Sequence, residues 1–311
     1  MCDVNQTEVT EFLLLGFTGL YKYKFLLFIL FLFSYLIILG GNLLIIMLVS
    51  TNHNLNTPMF YFLKYLAVAD ILSTTTIMPM MLNIILYDMK EVPVRICIIQ
   101  LHMIFIFGFN PMILLTIMSY DRYLAICSPM RYNSIMQPHV CFKMVLGSWF
   151  FNVVLSFEMI LVWQLEFCGN NIIDHFFCDF EILRELTSSN TYLLTLVDFV
   201  IGIIGGVIPF ALILISYLSI FYTIMALSSI SGLSKAFSTC GSHLTTVCIY
   251  YGTLLTIYTI PSNDRSMSTN KFLSLLYIVV TPMMNPIIYS LRNQEIRRAI
   301  HQMFRKCYGY S

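Results

Sequence analysis

Apolar residues gather in seven long runs along this chain, each ended by a short polar stretch. They cover Phe25 to Val49, Met59 to Leu86, Ile96 to Tyr120, Met144 to Leu165, Tyr192 to Leu227, Ala236 to Ile260 and Phe272 to Leu291. Each reaches the roughly 20 residues that an α-helix needs to cross a hydrocarbon layer about 30 Å thick. Only Lys64, Asp70, Glu158 and Asp198 put charge inside them. Barrel strands are about ten residues of alternating polarity, whereas these runs are longer and apolar on every face. The pattern predicts an all-α membrane protein, a bundle of seven transmembrane helices. After the seventh run, Ile296, Ile300, Met303 and Phe304 recur at helical spacing with Arg297, Arg298, Arg305 and Lys306 between them. This predicts a short amphipathic eighth helix on the inner leaflet, with Cys307 beside it either palmitoylated or a free thiol.

Composition agrees with the pattern. The 311 residues are 58% apolar and 11% charged, with a mean hydropathy of +0.80, against roughly 25% charged residues in a soluble domain. A net charge of +1 lacks the basic field of a nucleic-acid binder, and nine thinly spread cysteines do not make a small disulfide scaffold. Loops are short except the one from about Gln164 to Thr191, and no internal repeat or low-complexity tract divides the chain. The expected organisation is an extracellular amino-terminal segment over 1–24, a membrane domain over 25–291, and a cytoplasmic helix and tail over 292–311.

An odd number of crossings puts the termini on opposite sides. Basic residues favour an external amino terminus only slightly, and around the first run Lys22 and Lys24 point the opposite way. The sequon at Asn5 and the acids Asp3, Glu8, Glu11, Glu166, Asp174, Asp179, Glu181 and Glu185 support an external terminus, with Asn5 as the glycosylation site. The first 24 residues lack the charged start and apolar core of a cleavable signal, so the first helix is read as the anchor.

No zinc-ligand spacing, nucleophile elbow or phosphate-cradling glycine loop is present, so an enzyme is not expected. His102 and His243, isolated within helices, read as packing residues. Carboxylates inside a bilayer are costly and call for partners. Asp70 lies midway along the second helix, with Asn42 and Asn285 at comparable depth as amide partners. Asp70, Glu158 and Asp198 stand on separate helices at different depths, which argues against a converging catalytic pair. Pro286, after Asn285, removes a ladder hydrogen bond and predicts a hinge; Gly205, Gly206 and Pro209, and Gly252 with Pro261, mark further weak points. Asp121-Arg122-Tyr123 closes the third helix with an acid beside a base, either an interfacial anchor or a pair able to lock and release. Cys97 and Cys178, both on the outer side, are a candidate disulfide pair.

These pieces resemble a rhodopsin-like G-protein-coupled receptor, and within that class an olfactory receptor. The match spans nearly the whole chain. It is carried by Gly41-Asn42, the stretches Pro58 to Asp70 (PMFYFLKYLAVAD) and Met118 to Tyr132 (MSYDRYLAICSPMRY), Ser216-Tyr217, Lys235 to Leu244 (KAFSTCGSHL) and Pro282 to Asn293 (PMMNPIIYSLRN). The resemblance implies a small-molecule odorant entering from the outside, outward movement of the sixth helix at its inner end, and a stimulatory, olfactory-type heterotrimeric G protein that raises cyclic AMP. It implies the plasma membrane of olfactory cilia, contact with lipid, no nucleic-acid partner and no metal or cofactor. Activation positions fall on Asp121, Arg122, Tyr217, the Lys235 to His243 stretch, Tyr251, Asn285, Pro286 and Tyr289, and Asp70 on the sodium-site acid.

By family position and helical spacing the ligand wall is expected at Ile104, Phe105, Gly108, Phe109 and Met112, facing Ile201 and Gly205, and closed by Tyr251, Leu255, Tyr258, Leu275 and Ile278. Tyr251 and Tyr258 would orient the ligand. Burying about 150 Å² of apolar surface contributes at most about 4 kcal/mol before association costs, so micromolar or weaker binding is expected. Three departures stand out. Position 188 is serine where the family has a cysteine that pairs near Cys168, so Cys168 is expected to be free. Pro111 replaces a frequent glutamate, which weakens a cation role for Asp70. Asp198 is an acid foreign to the pattern and a hypothetical amine contact. The alternatives are a chemosensor of the same class for a non-volatile metabolite and, with neither repeat symmetry nor matched broken helices to support it, a seven-helix transporter.

Overall fold

A computed structural model describes residues 7–226, 230–259 and 267–307; the side chains of 230–239, 257–259, 267, 268, 304, 306 and 307 lie outside the description. Seven long helices form the bundle. They are α1 (Lys24–Thr51), α2 (Pro58–Tyr87), α3 (Val94–Cys127), α4 (Pro138–Leu155, carried on by tighter turns to Val162), α5 (Tyr192–Ala226), α6 (Ile230–Thr259), and α7, which is built from Met267–Leu275, Leu276–Val280 and Thr281–Arg292. An eighth, α8 (Gln294–Cys307), follows at once. Pro58 and Pro138 sit in the first turns of α2 and α4, where a missing N–H costs nothing. The Asn293 side chain starts α8 by accepting from the N–H groups of Glu295 and Ile296 at 3.0 and 3.2 Å.

The apolar runs became helices because a backbone in lipid must satisfy its polar groups internally. Their outward faces carry large apolar side chains, such as Phe25 at 68% and Phe199 at 66% exposure. Water would penalise that surface and lipid does not. α3 runs through the middle, against α2, α4, α5 and α6, while α7 closes the ring between α1 and α6. Where α1 meets α7, a Cβ on Gly41 would come within 2.9 Å of the Pro286 ring, so the close crossing requires glycine.

The expected weak points differ in kind. α5 makes one wide π turn at Ile203–Val207, just before Pro209, and α7 makes another at Leu276–Val280, before Pro286. α3 continues as an α-helix through Pro111. Pro261 lies outside the described residues, as do Asn5 and the side chain of Cys307.

One end of the bundle carries a small sheet that was not foreseen. β1 (Glu11–Leu14) lies between β2 (Lys90–Pro93), antiparallel with Phe12 opposite Val92, and β3 (Ile172–Ile173), parallel with Leu13 opposite Ile172. Phe12 and Leu14 are fully buried by it. A bridge between Glu8 and Cys168 continues the pairing outward. The loop after α4 is tied down further by the Cys97–Cys178 disulfide, by Gln100, whose Oε1 accepts from the Cys178 N–H at 3.0 Å, and by the Lys271–Asp174 ion pair at 2.6 Å. Cys168, expected to be free, is disulfide-bonded to a partner outside the described residues, so Ser188 in place of a cysteine does not leave it unpaired.

Candidate functional site

Below the sheet lies a cavity of about 450 Å³, within the range usual for small-molecule sites. α3 supplies one wall through Leu101, Ile104, Phe105, Gly108, Phe109, Pro111 and Met112, spaced along one helical face. The rings of Phe105 and Phe109 stack there with centroids 4.5 Å apart. Tyr250 and Leu254 of α6 and Leu273, Ser274, Tyr277, Ile278, Thr281 and Pro282 of α7 face them. Asp70, Ser73 and Ile77 of α2 form the floor. Glu158 and Met159 at the end of α4, Asp198 of α5, and the loop residues His175, Phe177, Asp179, Phe180, Glu181, Ile182 and Glu185 complete the enclosure.

Of the expected wall, the five α3 residues and Ile278 line this cavity. Ile201 is buried instead in the apolar cluster that includes Ile182 and Leu194, and Gly205 faces Leu155 and Phe109. Leu275 packs among α1 and α2 side chains, Leu255 is 54% exposed, and the side chain of Tyr258 lies outside the described residues. Tyr251 turns its ring onto Phe210, centroids 4.6 Å apart, while Tyr250 lines the cavity and donates its hydroxyl to the Gly108 carbonyl at 2.5 Å. One residue along an α-helix is a rotation of about 100°, and α6 is apolar enough on several faces that its pattern leaves the register open.

Loop residues were missed for a related reason: a loop has no periodicity to read. His175 is 1% exposed and wedged between Phe176 and Phe177, with centroid distances of 4.5 Å to each. Burial, aided by the nearby Lys271 ammonium, pushes its imidazole down to about 3. Asp179 caps the short helix Phe180–Leu186 by accepting from the Glu181 and Ile182 N–H groups. Burial raises its carboxyl above the usual range despite those donors.

At the cavity floor the Asn285 amide donates to the Asp70 carboxylate at 2.7 Å, with both residues buried. Asn42, expected to share this role, donates instead to the carbonyls of Ile38 and Pro282, tying α1 to α7. At the opposite end of the bundle, Arg122 pairs with the Asp121 carboxylate, which also accepts from the Tyr132 hydroxyl at 2.8 Å. Burial and that negative charge hold the Tyr132 hydroxyl above its usual range. Tyr217 of α5 and His243 of α6 meet at 2.6 Å, and the second imidazole nitrogen bonds the Leu115 carbonyl of α3 at 3.1 Å. Tyr289 is fully buried in the same core cluster, and Arg292 donates to Thr245 at 2.6 Å. His102, read as a packing residue, hydrogen-bonds Ser156 at 3.1 Å.

A roofed cavity at one end and a buried ionic and aromatic set of ties at the other define a seven-helix membrane receptor of the rhodopsin fold. The crystal structure of squid rhodopsin has the same fold, with a TM-score of 0.70 at 20% identity over 92% of this chain and 87% of that one. The chain belongs to the olfactory receptor family. The profile described as olfactory receptor matches residues 31–307. Olfactory receptor 5G3 of Homo sapiens is 43% identical over 307 residues, covering 98% of each chain. Olfactory receptor 1 of Rattus norvegicus is 40% identical over 310 residues, again covering 98% of each. Membership makes it a multi-pass membrane receptor for small odorant molecules that couples to a heterotrimeric G protein, and a signalling protein rather than an enzyme.

Proposed function

We propose that the cavity beneath the sheet is the odorant site and that its occupancy is passed through α6 and α7 to a stimulatory, olfactory-type G protein, which raises cyclic AMP. One observation carries this reading. The cavity floor is Asp70, and the Asp70 carboxylate holds Asn285 of α7, so a ligand on the floor acts on the helix that carries Pro286 and Tyr289. Above it, Tyr250 joins α6 to the α3 wall at Gly108, giving the ligand a second lever on the helix whose other half holds His243. Outward movement of α6 would part Tyr217 from His243 and open the Arg122 end to the G protein.

In this reading the sheet end faces outside the cell, in the plasma membrane of olfactory cilia, and α8 lies along the inner lipid surface. Apolar contact with Phe105, Phe109, Met112 and Leu254 supplies most of the binding, and hydroxyls such as Ser274 and Tyr277 orient the ligand. The test is a cyclic AMP readout in cells expressing the full chain with an olfactory-type G protein, screened against a volatile panel. A dose-dependent rise that Arg122→Ala abolishes at equal surface expression is expected. A response carried only by a G protein that lowers cyclic AMP would overturn the coupling.

A further inference from the structure

Among the described residues the cavity is lined by six acids, Asp70, Glu158, Asp179, Glu181, Glu185 and Asp198, and by no lysine or arginine. Some of these charges are met within the protein. Asp179 accepts from two backbone N–H groups, Glu181 pairs with Arg184 at 2.8 Å, and Asp70 holds the Asn285 amide. The nearby Lys271 is taken by Asp174 at 2.6 Å. Glu158 is different. It is 5% exposed, and neither carboxylate oxygen has a hydrogen-bond partner among the described residues. Asp198, half-buried, also lines the cavity and makes no ion pair among the described residues, although Arg184, held by Glu181 and Thr195, stands near it. A buried carboxylate without donors is costly, and a second carboxylate on the same cavity adds to that cost. A ligand bearing N–H donors and positive charge removes both deficits.

We propose that this cavity binds a protonated amine, with Glu158 and Asp198 as counter-ions to the ammonium. The ammonium offers three N–H donors, enough for both Glu158 oxygens and one of Asp198. The carbon skeleton then lies along the stacked Phe105 and Phe109 rings. This inference rests on the cavity being the odorant site, and it adds the chemical class of ligand.

The test is the thermal midpoint of the purified full chain in nanodiscs, titrated with n-alkylamines of four to eight carbons and with alcohols and carboxylates of the same skeletons. Amines are expected to raise the midpoint at concentrations at least tenfold below those of the matched alcohols, with carboxylates weakest. Glu158→Gln should bring amines to the level of the alcohols, Asp198→Asn should do so in part, and Glu158→Asp should keep some of the preference. Equal effects of amines and alcohols on the wild type, no binding of amines at all, or an amine preference that survives both Glu158→Gln and Asp198→Asn would each overturn the proposal. Gly108→Leu and Ile104→Phe separate the two readings, since a Cβ on Gly108 meets nothing within 4 Å and extends into the cavity. Loss of all ligand binding in these variants, with no amine preference in the wild type, sinks the amine class and keeps the cavity. Binding of every compound undiminished in both would sink the cavity reading itself.

Discussion

Tyr217 and His243 form a 2.6 Å hydrogen bond that joins α5 to α6, and its direction follows from a third group. The Leu115 carbonyl, 3.1 Å from Nε2, can only accept, so Nε2 of the neutral ring carries the proton. Nδ1 is therefore the acceptor and the Tyr217 hydroxyl the donor. Three helices meet on one imidazole, and α6 cannot swing away without breaking the bond. Tyr217→Phe leaves Nδ1 buried without a donor, at a cost of about 1–3 kcal/mol. Thermal unfolding of Tyr217→Phe, His243→Phe and the double variant should show a coupling of about 0.5–3 kcal/mol. Additive losses would mean that the bond does not tie the helices.

The Asp70–Asn285 contact makes a parallel demand at mid-bundle. Asn285→Ala removes the amide donor from a carboxylate that is 2% exposed. A midpoint several degrees lower and a weakened cyclic AMP response at equal surface expression are expected. Asp70→Asn with Asn285→Asp exchanges donor and acceptor and should recover part of the stability; no recovery at all would place the loss elsewhere.

Gly40 and Gly41 are neighbours in sequence with opposite predictions. A Cβ at Gly40 meets nothing within 4 Å, whereas one at Gly41 strikes Pro286 at 2.9 Å. Gly40→Ala should be neutral or stabilising by about 0.5–1 kcal/mol through the unfolded chain and the helix. Gly41→Ala should destabilise by about 1–3 kcal/mol through overpacking. Equal midpoints for the two variants would mean that α1 and α7 do not cross so closely.

His175 gives the sheet end a pH dependence. Its imidazole is held at about 3, below the usual value near 6.5, so the unfolded chain binds the proton first as pH falls. The stability due to the neutral ring is complete above about pH 6.5 and declines towards pH 3, by about 1.4 kcal/mol per pH unit at most. The midpoint of the purified receptor should therefore fall between pH 7 and pH 5 by an amount that His175→Phe reduces. An unchanged slope in that variant would assign the acid sensitivity to other groups.

The existence and order of the membrane helices were legible in the chain alone, because the length of an apolar run is a one-dimensional quantity and lipid leaves the backbone only one way to satisfy itself. Runs such as Phe25 to Val49 and Met59 to Leu86 fall within two residues of α1 and α2. The α3 face was legible too, since family position and helical spacing agree on Ile104, Phe105, Gly108, Phe109 and Met112. Beyond the Cys97–Cys178 pair and the Asp70–Asn285 contact, what the chain by itself left open was how the elements face one another. Whether Tyr250 or Tyr251 faces inward depends on how α6 is rotated by its neighbours, and a helix with several apolar faces does not announce that. The sheet pairs Glu11–Leu14 with strands about 80 and 160 positions away, and Glu158, Asp198 and Asp70 meet on one cavity because three helices and a loop converge there. Convergence is a matter of packing in three dimensions, where each side chain's partners are chosen by the whole bundle and not by the residues beside it.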